Sequence, residues 1–572
     1  MRTPRIPRAL AACACLVALV APAACSSPIG LPSAGGVQEY APVSQQTKRV
    51  YTNPEGPVAD DQPEGIVEGF FNAMPAGVQS DGYRVAREFL TPAASSGWKG
   101  DTSAVVYDGT PVFTRKASAQ TGSPEGGGIV VEAELSVIGT LDSHGLYTPS
   151  DASQSTVMTF TMAKSDGQWR ISRLDDGVAV SSADFDQVFR QVSVYRLDAS
   201  GSRLVPDVRW LSWRNWRTLA VRETLENGSS WLSGAVRDVN DANATLAVDS
   251  VPLDNGTPRI QLSADFLRLG SDERALLVRL IRLTLGDGVA SSRIEVTCEG
   301  NDYSDIDGSV DLVDQQPSVG LYTLTDGRVV SLGSSSPLRV GETGYESVDG
   351  FVFSKSGGAV LRDDGVVACL KADASPCGVM FDGTRMSFIA AGTDGEVWAV
   401  DASGHSLYVS RGGEERHLSV PWLGDRAIRA VTVSPEGARL AVAVDDGVLL
   451  TGVARDGDLT PAGLSDKATA VSLQRGVTML TFYNDLNLVY VTEPEENESG
   501  TVQRAFRQIA PGPPEDQRLP SGATVVALAS GQVALYRRLA VLDGGGTVRS
   551  VSGSLDGSWS IADSQVTALG EQ

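Results

Sequence analysis

At 572 residues, 42% of them hydrophobic, the chain is long enough for about three domains with substantial cores. Its formal charge of −23 makes an acidic surface that repels phosphate backbones and anionic headgroups, which argues against nucleic acid as a partner. Past residue 25 no stretch holds 18 consecutive apolar residues, so nothing later reads as a membrane span.

The N-terminus carries Arg2, Arg5 and Arg8 with no acid among them, followed at residues 9–21 by the apolar run ALAACACLVALVA. That run is too short for a permanent transmembrane helix, and it ends at Pro22-Ala23-Ala24-Cys25 before the polar Ser26-Ser27-Pro28. A basic start, a short apolar middle and small residues before a break form the pattern of an export signal. With cysteine directly after the small pair, the break resembles the lipobox of bacterial lipoproteins. The resemblance implies a signal peptide at residues 1–24, a diacylglycerol on the Cys25 thiol, and Cys25 as the first residue of the mature chain. Pro22 stands where lipoboxes usually carry Leu, and the box-like Leu10-Ala11-Ala12-Cys13 has no apolar run ahead of it. The alternative is an ordinary secreted protein cut near Ala24. Removing the three arginines moves the charge from −23 to −26, so lipid rather than a basic patch must supply membrane attachment. At roughly 0.8 kcal/mol per buried methylene, two or three acyl chains hold a protein on a membrane essentially permanently.

Residues 25–62 are rich in Ser, Pro, Gly, Gln and Asp without apolar period and read as a disordered tether. As a flexible coil it spans roughly 30–35 Å.

Residues 63–187 read as a first α+β domain. Pro63 starts an amphipathic helix with Ile66, Val67, Phe70, Phe71 and Met74 at helical spacing, ended by Pro75 and Gly77. A second helix is expected from Asp81 to Leu90, stopped by Thr91-Pro92. Strands follow near residues 105–107, 128–131, 133–139 and 157–160, and the last is Gly167-Gln168-Trp169-Arg170-Ile171. Two helices before a curved antiparallel sheet, ending in Gly-x-Trp-Arg-Ile, resemble the NTF2-like folds. In some relatives the cone inside that sheet is an active site; here its Tyr, Phe and Trp residues read as core filling.

Residues 188–302 read as a second α+β domain. A hairpin around Asp198-Ala199-Ser200-Gly201 joins residues 191–197 to 204–210, and a helix follows at 216–225, stopped by Asn227-Gly228. Strands are expected at 244–248 and 259–262. A long helix comes next, capped by Ser271 with Asp272 and Glu273 in its first turn, and a strand at 292–296 closes the unit. The order strand, strand with Leu204-Val205-Pro206, helix, strand, long helix, strand with Ile294-Glu295-Val296 resembles the GerMN domain, which implies a non-catalytic interaction module.

Residues 303–315 read as an acidic linker. Asp305, Asp307, Asp311 and Asp314 with Gly308 fall at EF-hand-like positions, but Tyr303 and Asp314 stand where calcium needs its first ligand and a bidentate Glu.

From residue 316 to 572 short strands recur at even spacing with turn signals between them. Residues 430–443 form a strand, a Ser434-Pro435-Glu436-Gly437 bend and a strand, which resembles the hairpin of TolB-type and WD-like blades. Phe381-Asp382-Gly383-Thr384 and Leu555-Asp556-Gly557-Ser558-Trp559 echo it. At about 40–45 residues per blade the segment predicts a β-propeller of about six blades.

Of six cysteines, Cys13 and Cys15 leave with the signal and Cys25 takes lipid. Cys298 reads as packing. Cys369 and Cys377 flank a turn-rich loop, and a disulfide or two buried thiols both fit an exported chain.

No catalytic pattern occurs. His144, His405 and His417 lie far apart without metal-ligand spacing, and there is no nucleophile elbow, dinucleotide fingerprint, phosphate loop or zincin helix. Asp382, Asp445 and Asp446 are the acids a propeller enzyme would aim at its channel, although Asp-Gly pairs usually form the turns themselves. No metal and no cofactor are expected.

A lipobox, an NTF2-like unit, a GerMN-like unit and a propeller, in that order, resemble the LpqB lipoproteins of actinobacteria over nearly the whole mature chain. The resemblance implies a non-enzymatic lipoprotein anchored on the extracytoplasmic face of the cell membrane. It also implies a partner: the extracytoplasmic domain of an MtrB-type sensor histidine kinase, whose two-component signalling bears on envelope homeostasis and division. Which residues touch that partner is not legible. The alternative is a propeller that binds or processes an envelope glycan; a third reading is a small apolar ligand held in the NTF2-like cone.

Overall fold

Proline at the first helical position sets the chain into Pro63–Ala76, whose Ile66, Val67, Phe70, Phe71 and Met74 are all buried. The structure is a computed structural model that describes residues 54–117, 129–289, 292–306, 320–332, 338–497, 500–533 and 536–571. The signal segment, Cys25, most of the tether and Asp307, Gly308, Asp311 and Asp314 of the linker lie outside the described residues. No helix among the described residues is long and apolar enough to cross a membrane.

The α-helix ends at Ala76 with Gly77 as its cap, as expected, but Pro75 does not break it. Pro75 sits inside the helix, and the backbone continues as a π turn, Gly77–Asp81. Gly77 is required there, because a Cβ would lie 2.0 Å from the Tyr83 ring. The second helix is correspondingly short, Arg84–Glu88: Tyr83 adopts a left-handed φ of 67°, and the Asp81 carboxylate accepts its N–H at 2.8 Å. The sheet runs Gln168–Arg173, Ser155–Ser165, Ile129–Leu141, Ala104–Ala117, Val178–Ser181, with Tyr147–Pro149 beside Ile129–Leu141. Segments expected as separate strands at 128–131 and 133–139 form one long strand from Ile129 on. Its interior is filled by rings: Phe71 meets Phe113 at 5.2 Å and Phe160 at 5.8 Å, and Phe70 meets Trp98 at 5.3 Å. These contacts leave the cone packed with the chain's own aromatics.

In the second unit Phe189–Asp198 and Leu204–Ser212 form the hairpin, with Val236–Arg237 at its side. Asp198 closes the turn by accepting the N–H groups of Ser202 and Arg203 at 3.1 and 3.0 Å. Helices Trp216–Leu225 and Ser271–Leu285 follow, and Thr257–Leu262 pairs in parallel with Glu295–Cys298. Two expectations shift. Gly270, not Ser271, is the helix cap, with no side-chain cap bond. Residues 244–248 give only a bridge from Leu246 to Leu262, because the Asn240 side chain clasps Ala244 through both its N–H and its carbonyl. Cys298 is buried and its thiol donates to the Ser263 carbonyl at 3.3 Å.

Among the described residues the C-terminal region holds six four-stranded antiparallel sheets and a short two-stranded ribbon, Glu495–Asn497 with Gly500–Val502. The innermost strands of the six sheets are Ala568–Glu571, Gly350–Ser354, Met386–Ala391, Ile428–Val433, Val477–Phe482 and Val525–Val533, and each adjoins the next around a closed ring. We number the blades one to six in that order. Ala568–Glu571 pairs with Leu321–Thr325, so blade one is completed by the C-terminal strand and the ring has no open end. Ser434–Gly437 bends between the first and second strands of blade four, as expected. The two echoes do not: Phe381–Thr384 precedes the innermost strand of blade three, and Leu555–Trp559 joins the third and fourth strands of blade six. An Asp-Gly turn suits any tight reversal, so it carries no blade phase.

In blade two Cys369 and Cys377 are joined, with Cα atoms 5.1 Å apart, tying Val367–Lys371 to the outer strand Pro376–Met380. Replacing both by serine is expected to lower stability by about 2–3 kcal/mol, the loop-closure value for so short a loop, read as a fall in the denaturant midpoint matched by dithiothreitol on the native chain.

Candidate functional site

All nine residues of Leu204–Ser212 are buried, although two of them are charged. A strand buried on both faces must lie between other layers. Val208 and Trp210 join the core of the first unit, and Val205 joins that of the propeller. The Trp210 N–H donates to the Gly145 carbonyl at 2.8 Å, and its indole N–H donates to the Pro511 carbonyl at 3.0 Å. One residue therefore bonds to a first-unit loop and to blade five.

The charged face is satisfied from three directions. Asp207 is fully buried; Arg209 pairs with both its oxygens, at 2.9 Å for the second, and Ser229 donates its N–H at 3.0 Å and its hydroxyl at 2.8 Å. Burial works to raise the Asp207 pKa, but Arg209 and Arg196 outweigh it and hold the carboxyl below the usual range. Arg196 donates to the carbonyls of Glu223 and Thr224 at 2.6 and 3.3 Å, completing the C-terminal end of the helix Trp216–Leu225. Arg209 reaches the Glu223 carboxylate at 3.4 Å; burial pushes that group's pKa up.

Across the seam, Arg439 of blade four has no exposed surface. It pairs with Glu436 of the Ser-Pro-Glu-Gly bend at 2.5 and 3.0 Å, and it donates to the Pro206 carbonyl at 3.4 Å and to the carbonyl of Asp485. A residue of the blade-hairpin motif thus anchors the neighbouring unit. On the same side Ser465 donates to the Ser233 carbonyl at 2.7 Å. Between the first unit and blade five lies a cleft of about 230 Å³ walled by Val106, Phe185, Trp210, Arg507 and Pro513.

The acids expected at the propeller channel are not gathered. Asp445 pairs with Arg429 at 2.7 Å, Asp446 lies 3.8 Å from Arg426 at the adjoining turn position, and Asp382 is exposed in the loop before blade three. His144, His405 and His417 occupy separate places; His144 lies against Glu223 of the second unit.

While the second unit covers blade four, the outer strands of blades six, one and two have no further strand paired to them among the described residues, and there Ile561, Leu338 and Val379 are 69%, 63% and 54% exposed. Each of these edges carries a bulge, at Val548/Arg549, Val329/Val330 and Cys369/Leu370. Bulges disrupt the ladder and discourage edge-to-edge pairing, so what this rim offers is side chains.

The family model described as the N-terminal domain of lipoprotein LpqB matches residues 56–186, and that of the lipoprotein LpqB β-propeller domain matches residues 359–566. The lipoprotein LpqB of Bifidobacterium longum is 58% identical over all of this chain and 99% of its own length. That of Cutibacterium acnes is 28% identical over 73% of this chain and 70% of its own. A solved virginiamycin B lyase from Staphylococcus aureus aligns at 15% identity with a TM-score of 0.27, over 37% of this chain and 68% of that one, too low to bear on activity. By the two matched domains and the full-length identity, the chain belongs to the LpqB lipoprotein family.

Proposed function

We propose that the chain is a non-catalytic adaptor, moored to the extracytoplasmic face of the cell membrane through lipid on Cys25, that binds and modulates an MtrB-type sensor histidine kinase. Membership of a lipoprotein family supports the mooring. The observation that carries the adaptor reading is the strand Leu204–Ser212, buried on both faces, whose Trp210 bonds to Gly145 of the first unit and Pro511 of blade five and whose Pro206 carbonyl accepts from Arg439 of blade four, tying three modules together. Modules tied in this way present their outer surface in a fixed orientation, so little ordering entropy is lost on docking. Confinement to the partner's membrane raises the effective concentration, so even a weak interface is occupied. The ion pairs that hold Asp445 and Asp446 at an exposed turn favour this reading over a glycan-processing propeller.

The test is co-purification of the kinase from crosslinked membranes. The native chain is expected to bring the kinase down and to stay with the membrane. Cys25→Ala is expected to leave the membrane fraction and lose the kinase, at least about tenfold given the concentration lost with the tether. Equal recovery with both chains overturns the mooring; recovery with neither overturns the partner.

A further inference from the structure

Where the first and second units meet, three side chains converge, one of them the Glu223 whose second oxygen Arg209 holds. His144 stands in the loop between Ile129–Leu141 and Tyr147–Pro149, and the Asp142 carboxylate fixes that loop by accepting the N–H groups of His144 and Leu146, both at 2.9 Å. Glu223 and Glu226 stand three residues apart at the C-terminal end of the helix Trp216–Leu225, and so on one side of it. His144 Nδ1 lies 2.9 Å from Glu223 Oε1 and 3.5 Å from Glu226 Oε2, and the three ligand atoms all lie within 4.8 Å of one another.

We propose that His144, Glu223 and Glu226 form a site for a divalent transition-metal ion of the Zn²⁺ class, shared between the two units. The spacing fits: ligands about 2.0–2.1 Å from a tetrahedral ion stand about 3.3–3.4 Å apart, and the two observed separations bracket that value. One imidazole nitrogen with two carboxylate oxygens is a donor set zinc uses, whereas calcium and magnesium need six or more oxygens. A single ring nitrogen has one proton to give and here faces two carboxylates, so hydrogen bonding alone cannot serve both equally. Position adds to this, since the end of a helix that carries partial negative charge favours a cation. Glu223 is buried, and its other oxygen is held by Arg209 at 3.4 Å, the outer contact that orients a ligating carboxylate. The His144 and Glu226 side chains are 52% and 55% exposed, which leaves the ion an entry path and a face for water. Bound there, the ion pins the first unit's loop to the second unit's helix independently of any partner.

The experiment uses the full chain purified in detergent and stripped with EDTA, titrated with Co²⁺ and then with Zn²⁺. One equivalent of Co²⁺ is expected to produce d–d absorption that Zn²⁺ abolishes, and Zn²⁺ is expected to raise the thermal midpoint. In His144→Asn and Glu226→Gln, both at exposed positions and checked for native circular dichroism, the metal affinity is expected to fall at least about tenfold. The double variant His405→Asn/His417→Asn is expected to bind as the native chain does. Absence of d–d bands in the native chain overturns the site, as does unchanged affinity in His144→Asn.

Discussion

Asp207→Ala is expected to destabilise the folded chain by about 3–5 kcal/mol, because it leaves Arg209 and Arg196 buried without their shared counter-charge. Both guanidinium groups are less than a tenth exposed, and neither can turn to water without opening the seam. Ser229→Ala provides the internal comparison. It removes one hydroxyl bond to a carboxylate that keeps its arginine, so about 1.5–3 kcal/mol is expected. Guanidinium unfolding followed by tryptophan fluorescence checks both, with Asp207→Ala showing the larger fall in midpoint. Equal midpoints would mean that the carboxylate contributes no more than a hydroxyl does.

The second large effect is expected at Trp210. Trp210→Ala deletes a buried indole whose ring centroid is 4.9 Å from that of Phe185 and whose N–H holds Pro511. Truncating a buried aromatic costs about 3–5 kcal/mol. The loss falls on the edge of the first unit's core, where Trp210 packs on Phe185, and on that unit's contact with blade five. A multi-unit chain loosened at a seam departs from two-state unfolding. Limited proteolysis of Trp210→Ala is therefore expected to cut between the units before either core is digested, whereas Asp207→Ala is expected to loosen the second unit as well.

The two variants separate what the sequence could reveal from what it could not. Apolar period and turn chemistry are local, and they place the helix from Pro63, the hairpin at Asp198–Gly201, the long helix from Ser271 and the Ser434–Gly437 bend. Local signals fail where a contact is made far along the chain. Arg439 meets Pro206 across 233 positions, and Trp210 meets Pro511 across 301. Asp207 and Arg209 alternate with apolar residues, so by pattern they read as a solvent face; the strand is in fact enclosed on both sides. One local sign was available. Within Leu204–Ser212 both alternating faces carry large apolar residues, Val205 and Leu211 on the charged face and Val208 and Trp210 on the other, which suits a strand without a wet side. Glycine and helix ends show the same limit. Pro75 as a helix breaker was a sound local rule, overridden because Gly77 lets the backbone pass beneath Tyr83.

The His144 cluster was out of reach for a related reason. His144 and Glu223 are 79 positions apart and belong to different units, so no spacing rule for metal ligands applies. Cys369 and Cys377 were close enough to nominate each other, and only the pairing of their two strands sets the Cα separation.

Contact with the proposed kinase partner is tested by photo-crosslinking in native membranes, with a photoreactive residue in place of Leu338, Val379 or Ile561 on the exposed rim of blades six, one and two, or of Leu253 on the second unit. The proposed adaptor gives a covalent kinase adduct from at least one of these positions in the lipid-anchored chain and none from Cys25→Ala. No kinase adduct from any of the four positions would contradict it.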